Sequence, residues 1–222
     1  MIKYDNVVNE YTVNIFADAS IRTINNETIG CPGIVVILDK NIIHQDTRIL
    51  RNTTNSEAEL YAIYMAINYA LQYNGTKVIN IFSDSQFAVY GLREWIFKWL
   101  NNIKDDTLFN SSKKEVAHQT LFMNIVYTIL NNNLKVSIYH NRGHFPKTKI
   151  KEFVKLFKKH NFLHDDIEFK LGYFIIEYND MVDKITRELL HNNLKLEDPL
   201  LLMQYMARDD LDMNYYKELL NI

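Results

Sequence analysis

Acidic side chains follow two apolar segments of the sequence at the point where each segment ends. Asp18 comes after the alternating segment Tyr11 to Ala17, and Asp84 comes after the apolar segment Lys77 to Phe82. The first segment has the pattern of a half-buried strand and the second that of a mostly buried strand. If these two strands are neighbours in one sheet, their ends place Asp18 and Asp84 side by side.

Two further acids complete a set of four, Glu59 in the first turns of a predicted helix and Asp183 on a late helix. Carboxylates that lie close together raise one another's pKa unless a cation lies among them. Hard oxygen ligands of this kind suit Mg²⁺ or Mn²⁺. Two such ions ~4 Å apart activate a water and stabilise the leaving oxygen in the cleavage of a phosphodiester. The four acids therefore predict a divalent-metal site for phosphodiester chemistry.

Three of these four acids also have a competing interpretation. Asp84 is placed to cap the helix that follows it, where the helix dipole favours a negative charge. Asp180 lies one turn before Asp183 and competes with it as a ligand or as a cap. The capping boxes that the sequence offers at the helix of Glu59 are Thr54 with Glu57 and Ser56 with Glu59.

The elements that must position the acids follow a mixed α/β order. The predicted strands are Tyr11–Ala17, Gly33–Leu38, Ile42–Leu50, Lys77–Phe82 and Lys135–Tyr139. The predicted helices are a segment ending near Tyr73, one through Trp95 and Trp99, Glu115–Leu130, Ile150–His160 and one opened by Asn179. This order predicts an antiparallel three-strand meander with parallel strands added through helical crossovers.

Three stretches between these elements are predicted to be irregular. An Asn- and Thr-rich loop closes with the turn signal Gly30–Gly33, and Asn101–Asn110 is a polar loop. Phe162–Tyr178 is ambiguous, with Phe174–Ile176 as a candidate for an extra short strand.

Composition is typical of one soluble globular domain with an appendage, because 47% of the 222 residues are hydrophobic and 23% are charged. The net charge of −2 means that any polyanionic partner must be attracted by local basic patches. The single cysteine, Cys31, excludes an internal disulfide framework and is compatible with a reducing compartment. We find neither a signal peptide nor an apolar run long enough to span a membrane. We therefore expect a cytoplasmic protein without a membrane partner.

Five motifs, taken in order, resemble those of ribonuclease HI, the endonuclease that cleaves the RNA strand of RNA–DNA hybrids. The match runs from about Tyr11 to Leu190. The matching segments are Phe16–Ser20, Thr53–Leu60, Ser83–Gln86 with Gly91, Trp95–Trp99 at the start of the family's substrate-gripping handle, and Gly143–His144 with Asn179–Asp183. Their shared order is specific, whereas any one of them alone would be weak.

The resemblance implies a role for each matching polar residue. The implied ligands of two metal ions are Asp18, Glu59, Asp84 and Asp183. His144 is implied to assist proton transfer or product release, and Thr54 to contact a phosphate. Asn55 and Gln86 are implied to read minor-groove edges and 2′-hydroxyl groups, which distinguish RNA from DNA. Trp95 is as compatible with a core position as with a substrate platform.

The chain departs from the family pattern in three places. Ala19 follows the first acid where the family usually has Gly, the loop up to Gly33 is longer, and Cys31 stands where a minor-groove Asn is common. A long insertion covers about residues 145–178 and includes a lysine-rich helix. A helix of this kind is usually a solvated face. Beside a hybrid-binding groove, its lysines, of which we select Lys155, Lys158 and Lys159, would attract phosphates.

These observations predict a ribonuclease H-like domain over residues 1–192 and a helical C-terminal extension over residues 193–222. The predicted activity is hydrolysis of the RNA strand of RNA–DNA hybrids with two Mg²⁺ or Mn²⁺ ions. Two alternatives stay open, a nuclease of the same fold that acts on DNA and a non-catalytic protein that binds hybrids or other partners. His118, His140 and His160 are interpreted as ordinary residues.

Overall fold

A computed structural model describes residues 3–73, 77–164 and 167–192 of the chain. The strands are β1 Thr12–Ile24, β2 Glu27–Leu38, β3 Asn41–Thr47, β4 Leu50–Arg51, β5 Val78–Ser83, β6 Ile103–Lys104, β7 Thr107–Leu108 and β8 Val136–His140. The helices are α1 Tyr4–Val7, α2 Asn55–Ala70, α3 Gln86–Tyr90, α4 Ile96–Leu100, α5 Gln119–Asn131, α6 Ile150–His160 and α7 Phe169–Asn192. A π-helical turn, Gly91–Trp95, joins α3 to α4.

The main sheet has the order β3-β2-β1-β5-β8, and β4 pairs with β2 outside that path. The first three strands are antiparallel neighbours, as the predicted meander requires. Strand β5 pairs in parallel with β1, and β8 pairs in parallel with β5. The predicted fold class is confirmed, and β1 and β5 are neighbours. Asp84 directly follows β5, as predicted, whereas Asp18 lies inside β1 and not after its end.

The hairpin of β1 and β2 is longer than predicted, and the predicted loop after Ser20 is wrong. The two strands pair without interruption up to a two-residue turn at Asn25 and Asn26, whose φ values are 48° and 66°. Two left-handed residues are what a tight hairpin turn needs. Gly33 lies inside β2, where an added Cβ would be 2.7 Å from Cγ2 of Thr186 on α7. Gly33 is therefore needed because α7 packs closely against β2 at this position, and not because the chain turns there.

Helix α7 begins ten residues earlier than predicted, so the ambiguous segment contains no additional strand. Phe174–Ile176 lies within α7, and Asn179 is an interior residue of the helix and not its start. Leu171, Phe174, Ile175 and Val182 are buried at helical spacing against the sheet. An aromatic and β-branched run fits a strand as well as a buried helix, and packing against the sheet decides for the helix.

Two smaller predictions need correction. The predicted loop Asn101–Asn110 contains the short hairpin of β6 and β7. Helix α5 begins at Gln119 and not at Glu115, because His118 has a left-handed φ of 57° and Glu115 forms a bridge with Phe109.

The sheet is covered on both faces by separate hydrophobic cores. One core is mainly aliphatic and joins β1, β2 and β5 to α2 and α5. The other is rich in phenylalanine and joins the same strands to α6 and α7. Within the described ranges, no helix has both the length and the apolar content to cross a membrane. The predicted extension 193–222 lies outside the described residues, and the domain boundary at residue 192 stays a prediction.

Candidate active site

The paired strands β1 and β5 bring two of the four acids together. On the face that α7 covers, side chains of the two strands meet in successive pairs. These pairs are Asn14 with Asn80 and Phe16 with Phe82. Because side chains on one face recur every second residue, the next positions are Asp18, inside β1, and Asp84, one residue beyond the end of β5. An amide pair, a stacked ring pair and a carboxyl pair therefore follow one another toward the carboxyl end of the sheet.

The electrostatics of Asp18 connects it to all three other acids. Burial, followed by the charges of Asp84, Asp183 and Glu59, raises the pKa of Asp18 from 3.8 to about 8. The backbone N–H of Ala19, 2.7 Å from Oδ1, acts in the opposite direction. Side chains from two strands and two helices thus share one electrostatic environment. Two of them, Glu59 and Asp183, come from opposite sides of the sheet.

Asp84 does not cap the helix that follows it. The N-cap of α3 is Ser85, whose hydroxyl accepts a hydrogen bond from the N–H of Ala88 at 3.3 Å. Burial and the charge of Glu59 raise the pKa of Asp84 to about 6, while His144 acts to lower it. A Cβ at Gly143 would lie 1.9 Å from Oδ2 of Asp84, so the loop approaches the acid as closely as only glycine permits.

Helix α2 presents Glu59 from the aliphatic side of the sheet. Its N-cap is Thr54, whose hydroxyl accepts a hydrogen bond from the N–H of Glu57 at 3.2 Å. Glu59 is therefore not the capping partner, and its Oε1 instead accepts a hydrogen bond from Nδ2 of Asn55 at 2.7 Å. The hydroxyl of Thr54 also lies 3.2 Å from Nε2 of His118.

Helix α7 presents Asp183 from the aromatic side of the sheet, together with a cation that the sequence analysis missed. Nη2 of Arg187 lies 2.7 Å from Oδ2 of Asp183 and donates a hydrogen bond to Nε2 of His144 at 2.8 Å. Nδ1 of His144 lies 3.8 Å from the same carboxylate oxygen. An acid and an arginine four residues apart on a helix are a recognisable signal for such a pair. Asp180 is exposed and lies mid-helix, so it caps nothing.

The loop after β8 is tied to α7 at the same place. Nδ2 of Asn141 donates a hydrogen bond to Oδ1 of Asn179 at 2.7 Å, and both side chains are buried. The loop that carries Gly143 and His144 is therefore held against the helix that carries Asp183.

The four acids have the chemistry that divalent cations require, namely partly buried carboxylate oxygens, and among them Asp183 is paired with Arg187. In residues 3–73, 77–164 and 167–192, no three His, Cys, Asp or Glu side chains are arranged to hold an ion as they stand. Glu59 is hydrogen-bonded to Asn55, and Asp183 is paired with Arg187. The donor set fits a divalent cation, and the ligand roles stay a prediction.

The other predicted substrate-binding residues lie around this centre. Gln86 is the exposed first residue of α3. Trp95 is half-buried, with its ring centroid 6.0 Å from that of Trp99 and 6.4 Å from that of Phe87, so it is largely a packing residue. The three selected lysines belong to α6, where Lys155 and Lys159 are exposed and Lys158 is half-buried.

A family model described as RNase H matches residues 10–189. A protein named ribonuclease H from Thermosynechococcus vestitus is 30% identical over 130 residues, which cover 59% of this chain and 76% of the relative. A second, from Orientia tsutsugamushi, is 31% identical over 93 residues, which cover 42% of this chain and 50% of the relative.

Solved structures of other proteins share this fold. The RNase H domain of PFV in solution has a TM-score of 0.53 and 20% identity, and the match covers 76% of this chain and 98% of that one. A foamy viral protease-reverse transcriptase in complex with dsDNA has a TM-score of 0.52 and 23% identity, covering 71% of this chain and 98% of that one. At these identities the likeness concerns the fold.

Proposed function

This chain belongs to the RNase H family and is a nuclease, and on that premise we propose that it hydrolyses the RNA strand of RNA–DNA hybrids with two divalent cations, Mg²⁺ or Mn²⁺. The proposed ligands are Asp18, Glu59, Asp84 and Asp183. The observation that carries the proposal is that the paired side chains of β1 and β5 lead to Asp18 and Asp84, whose carboxyl groups interact electrostatically. When bound, the two cations supply an activated water and stabilise the charge on the leaving oxygen.

The protein's own residues set the positions of these ligands. Asp18 lies inside β1 and Asp84 directly follows β5, and the missing side chain of Gly143 leaves room for the Asp84 carboxylate. Asn55 orients Glu59 through its hydrogen bond to Oε1. Such fixed orientation lowers the reorganisation that the reaction would otherwise need.

His144 is suited to exchange protons at the mouth of the site. Its side chain is 64% exposed and lies next to Asp183 and Arg187. A neutral imidazole there accepts a proton or donates one without leaving the loop. Arg187 orients the ring because it donates to Nε2.

Hybrid recognition is assigned to the surface around the acids. Thr54 and Asn55 open α2, and Gln86 opens α3, so all three lie at the same end of the sheet as Asp18 and Asp84. We assign a phosphate contact to Thr54, and contacts with minor-groove edges and the 2′-hydroxyl group to Asn55 and Gln86. The lysines of α6 add attraction for phosphates, which the net charge of −2 does not provide.

The deciding experiment compares Asp84→Asn with Asp180→Asn on a hybrid labelled on each strand, with Mg²⁺ titrated. We expect Asp84→Asn to lower hydrolysis of the RNA strand by ~10³-fold or more while hybrid binding is largely kept, because the substitution removes one charged ligand. Asp180→Asn is the matched control and should keep its activity. The proposal is wrong if purified Asp84→Asn still turns over, if the wild type cuts the DNA strand instead, or if it binds hybrids without cutting.

A further inference from the structure

A cavity of about 550 Å³ lies beside Asp84, and its walls include the active-site loop and the insertion. Besides Asp84 and the loop itself, it is lined by Gln86 of α3, His140 at the end of β8 and His160 at the end of α6. Arg142 contributes its positive charge from the loop. Nothing in the site described above uses His160 or Arg142.

The insertion reaches this cavity by wrapping around the edge of the sheet. Strand β8 lies at the edge of the sheet, so the backbone of His140 has β5 on one side and no neighbouring strand on the other. The side chain of Asn161 takes that place, since its Oδ1 accepts from the N–H of His140 at 2.8 Å and its Nδ2 donates to the carbonyl at 2.7 Å. Arg93 donates to the same Oδ1 at 2.8 Å. The end of α6 is thereby fixed against the catalytic loop.

The polar groups of the cavity are held in place but are not fully engaged with one another. Nδ1 of His160 lies 2.8 Å from the hydroxyl oxygen of Tyr90, and this hydrogen bond fixes the orientation of the imidazole ring. The other ring nitrogen, Nε2, takes no part in that bond. His140 is 3% exposed, and its Nδ1 has no hydrogen-bond partner in the described part of the protein. Arg142 is exposed, has no carboxylate partner among the described residues, and lies 5.8 Å from the ring of Phe145.

An exposed guanidinium beside fixed hydrogen-bonding groups is suited to a phosphate. The carboxylate of Asp84 in the same wall repels a free anion, so the cavity favours a phosphate that other contacts along a strand already hold in place. Gln86, to which we assign contact with a 2′-hydroxyl group, lines the same cavity. The bound strand is therefore the RNA strand.

We propose that the cavity between the active-site loop and α6 binds one phosphate of the RNA strand next to the cleaved position, with Arg142 supplying charge and His160 a hydrogen bond. This inference rests on the proposed function, because it requires an RNA–DNA hybrid as the substrate. It gives the inserted segment a share in substrate binding.

The test measures hybrid binding in EDTA as a function of salt for Arg142→Gln, His160→Gln and their wild type. We expect Arg142→Gln to weaken binding ~5-fold or more and to reduce the salt slope by ~1, as the loss of one phosphate contact does. His160→Gln should weaken binding less and leave the slope unchanged. Matched controls are Lys135→Gln, at the opposite end of β8, and His164→Gln, on the exposed segment after α6; both should bind like the wild type.

A second measurement identifies the phosphate. The affinities of wild type and Arg142→Gln are measured for hybrids in which one phosphate is replaced by a neutral methylphosphonate. The position of the methylphosphonate is moved along each strand in turn. When the methylphosphonate is at one RNA position near the cut, the difference in affinity between the two proteins should vanish. When it is at any position of the DNA strand, the difference in affinity should persist. Inorganic phosphate should not compete below high millimolar concentration.

Different failures have different meanings. If the wild type binds the hybrid and cuts its RNA strand while Arg142→Gln keeps the wild-type slope, the cavity inference is wrong and the proposed function stands. If the difference vanishes at a DNA-strand phosphate, the assignment to RNA is wrong. If the wild type neither binds nor cuts hybrids, the proposed function fails, and the inference fails with it.

Discussion

The two faces of the sheet differ in what covers them and in which acids they deliver. The face under α2 and α5 is mainly aliphatic, and it delivers Glu59 from α2. The other face carries the ring stack of Phe16, Phe82 and Tyr139, closed by Phe157 of α6. Asp18, Asp84 and Asp183 lie on this face.

This difference changes how the insertion is understood. Phe153 and Phe157 come from the segment that the family pattern lacks, yet they are 1% and 2% exposed and belong to the same core as Phe16 of β1 and Phe82 of β5. Asn161 then completes the edge of β8. The inserted helix is therefore part of the wall behind the active site and not an appendage on its surface.

The largest expected effect tests whether the aromatic face is one cooperative unit with the rest of the domain. Phe157→Ala should lower the free energy of unfolding by ~3–5 kcal/mol, because it leaves a cavity between α6 and two strands. Ile67→Ala on the aliphatic face should cost ~2–5 kcal/mol. Urea unfolding followed by circular dichroism measures both. An unchanged midpoint for Phe157→Ala, with faster hydrogen exchange confined to α6, would mean that α6 is an independent appendage.

A smaller effect tests the carboxyl pair at the end of the aromatic face. The folded-state pKa of Asp18, about 8, lies above its ordinary 3.8, so ionisation destabilises the folded protein. This cost is absent below pH 4 and grows as the pH rises toward 8. In EDTA, Asp18→Asn should therefore be more stable than wild type by ~2 kcal/mol or more at pH 8 and nearly equal at pH 4.

Thermal unfolding at the two pH values measures this difference. Asp39→Asn, in the exposed turn between β2 and β3, is the control and should change stability equally at both. A gain for Asp18→Asn that does not depend on pH would show that burial and the neighbouring carboxyl groups do not raise the pKa of Asp18. Added Mg²⁺ should stabilise wild type and reduce the gain.

The positions of Asp18, Glu59 and Asp84 could be predicted, because they depend on the local sequence pattern and on one assumption about the order of the strands. Alternation along a strand decides the face of Asp18 and Asp84, and the pairing of β1 with β5 is the usual result of a helical crossover. The capping of α2 by Thr54 was also local information. Periodicity and capping signals sufficed for these features.

The features that were missed depend on contacts between distant parts of the chain. The start of α7 is decided by packing of Phe174 and Ile175 on the sheet, since their run fits either period. Asn161 covers a strand edge 21 residues away in the sequence, and no spacing rule indicates such a contact. The Gly30–Gly33 segment has turn composition, but close packing of Gly33 against α7 gives its glycine another purpose.

The smallest expected effect concerns the outer surface of the aromatic face. Replacing Lys155, Lys158 and Lys159 together by Ala should weaken hybrid binding by ~1 kcal/mol at ~0.15 M salt and flatten its salt dependence, because exposed lysines act mainly through released counterions. The control removes the same charge at Lys3, Lys135 and Lys170. If both triple variants shift the salt slope equally, the attraction comes from overall charge; if only the α6 variant does, the insertion binds substrate through its surface as well as through its end.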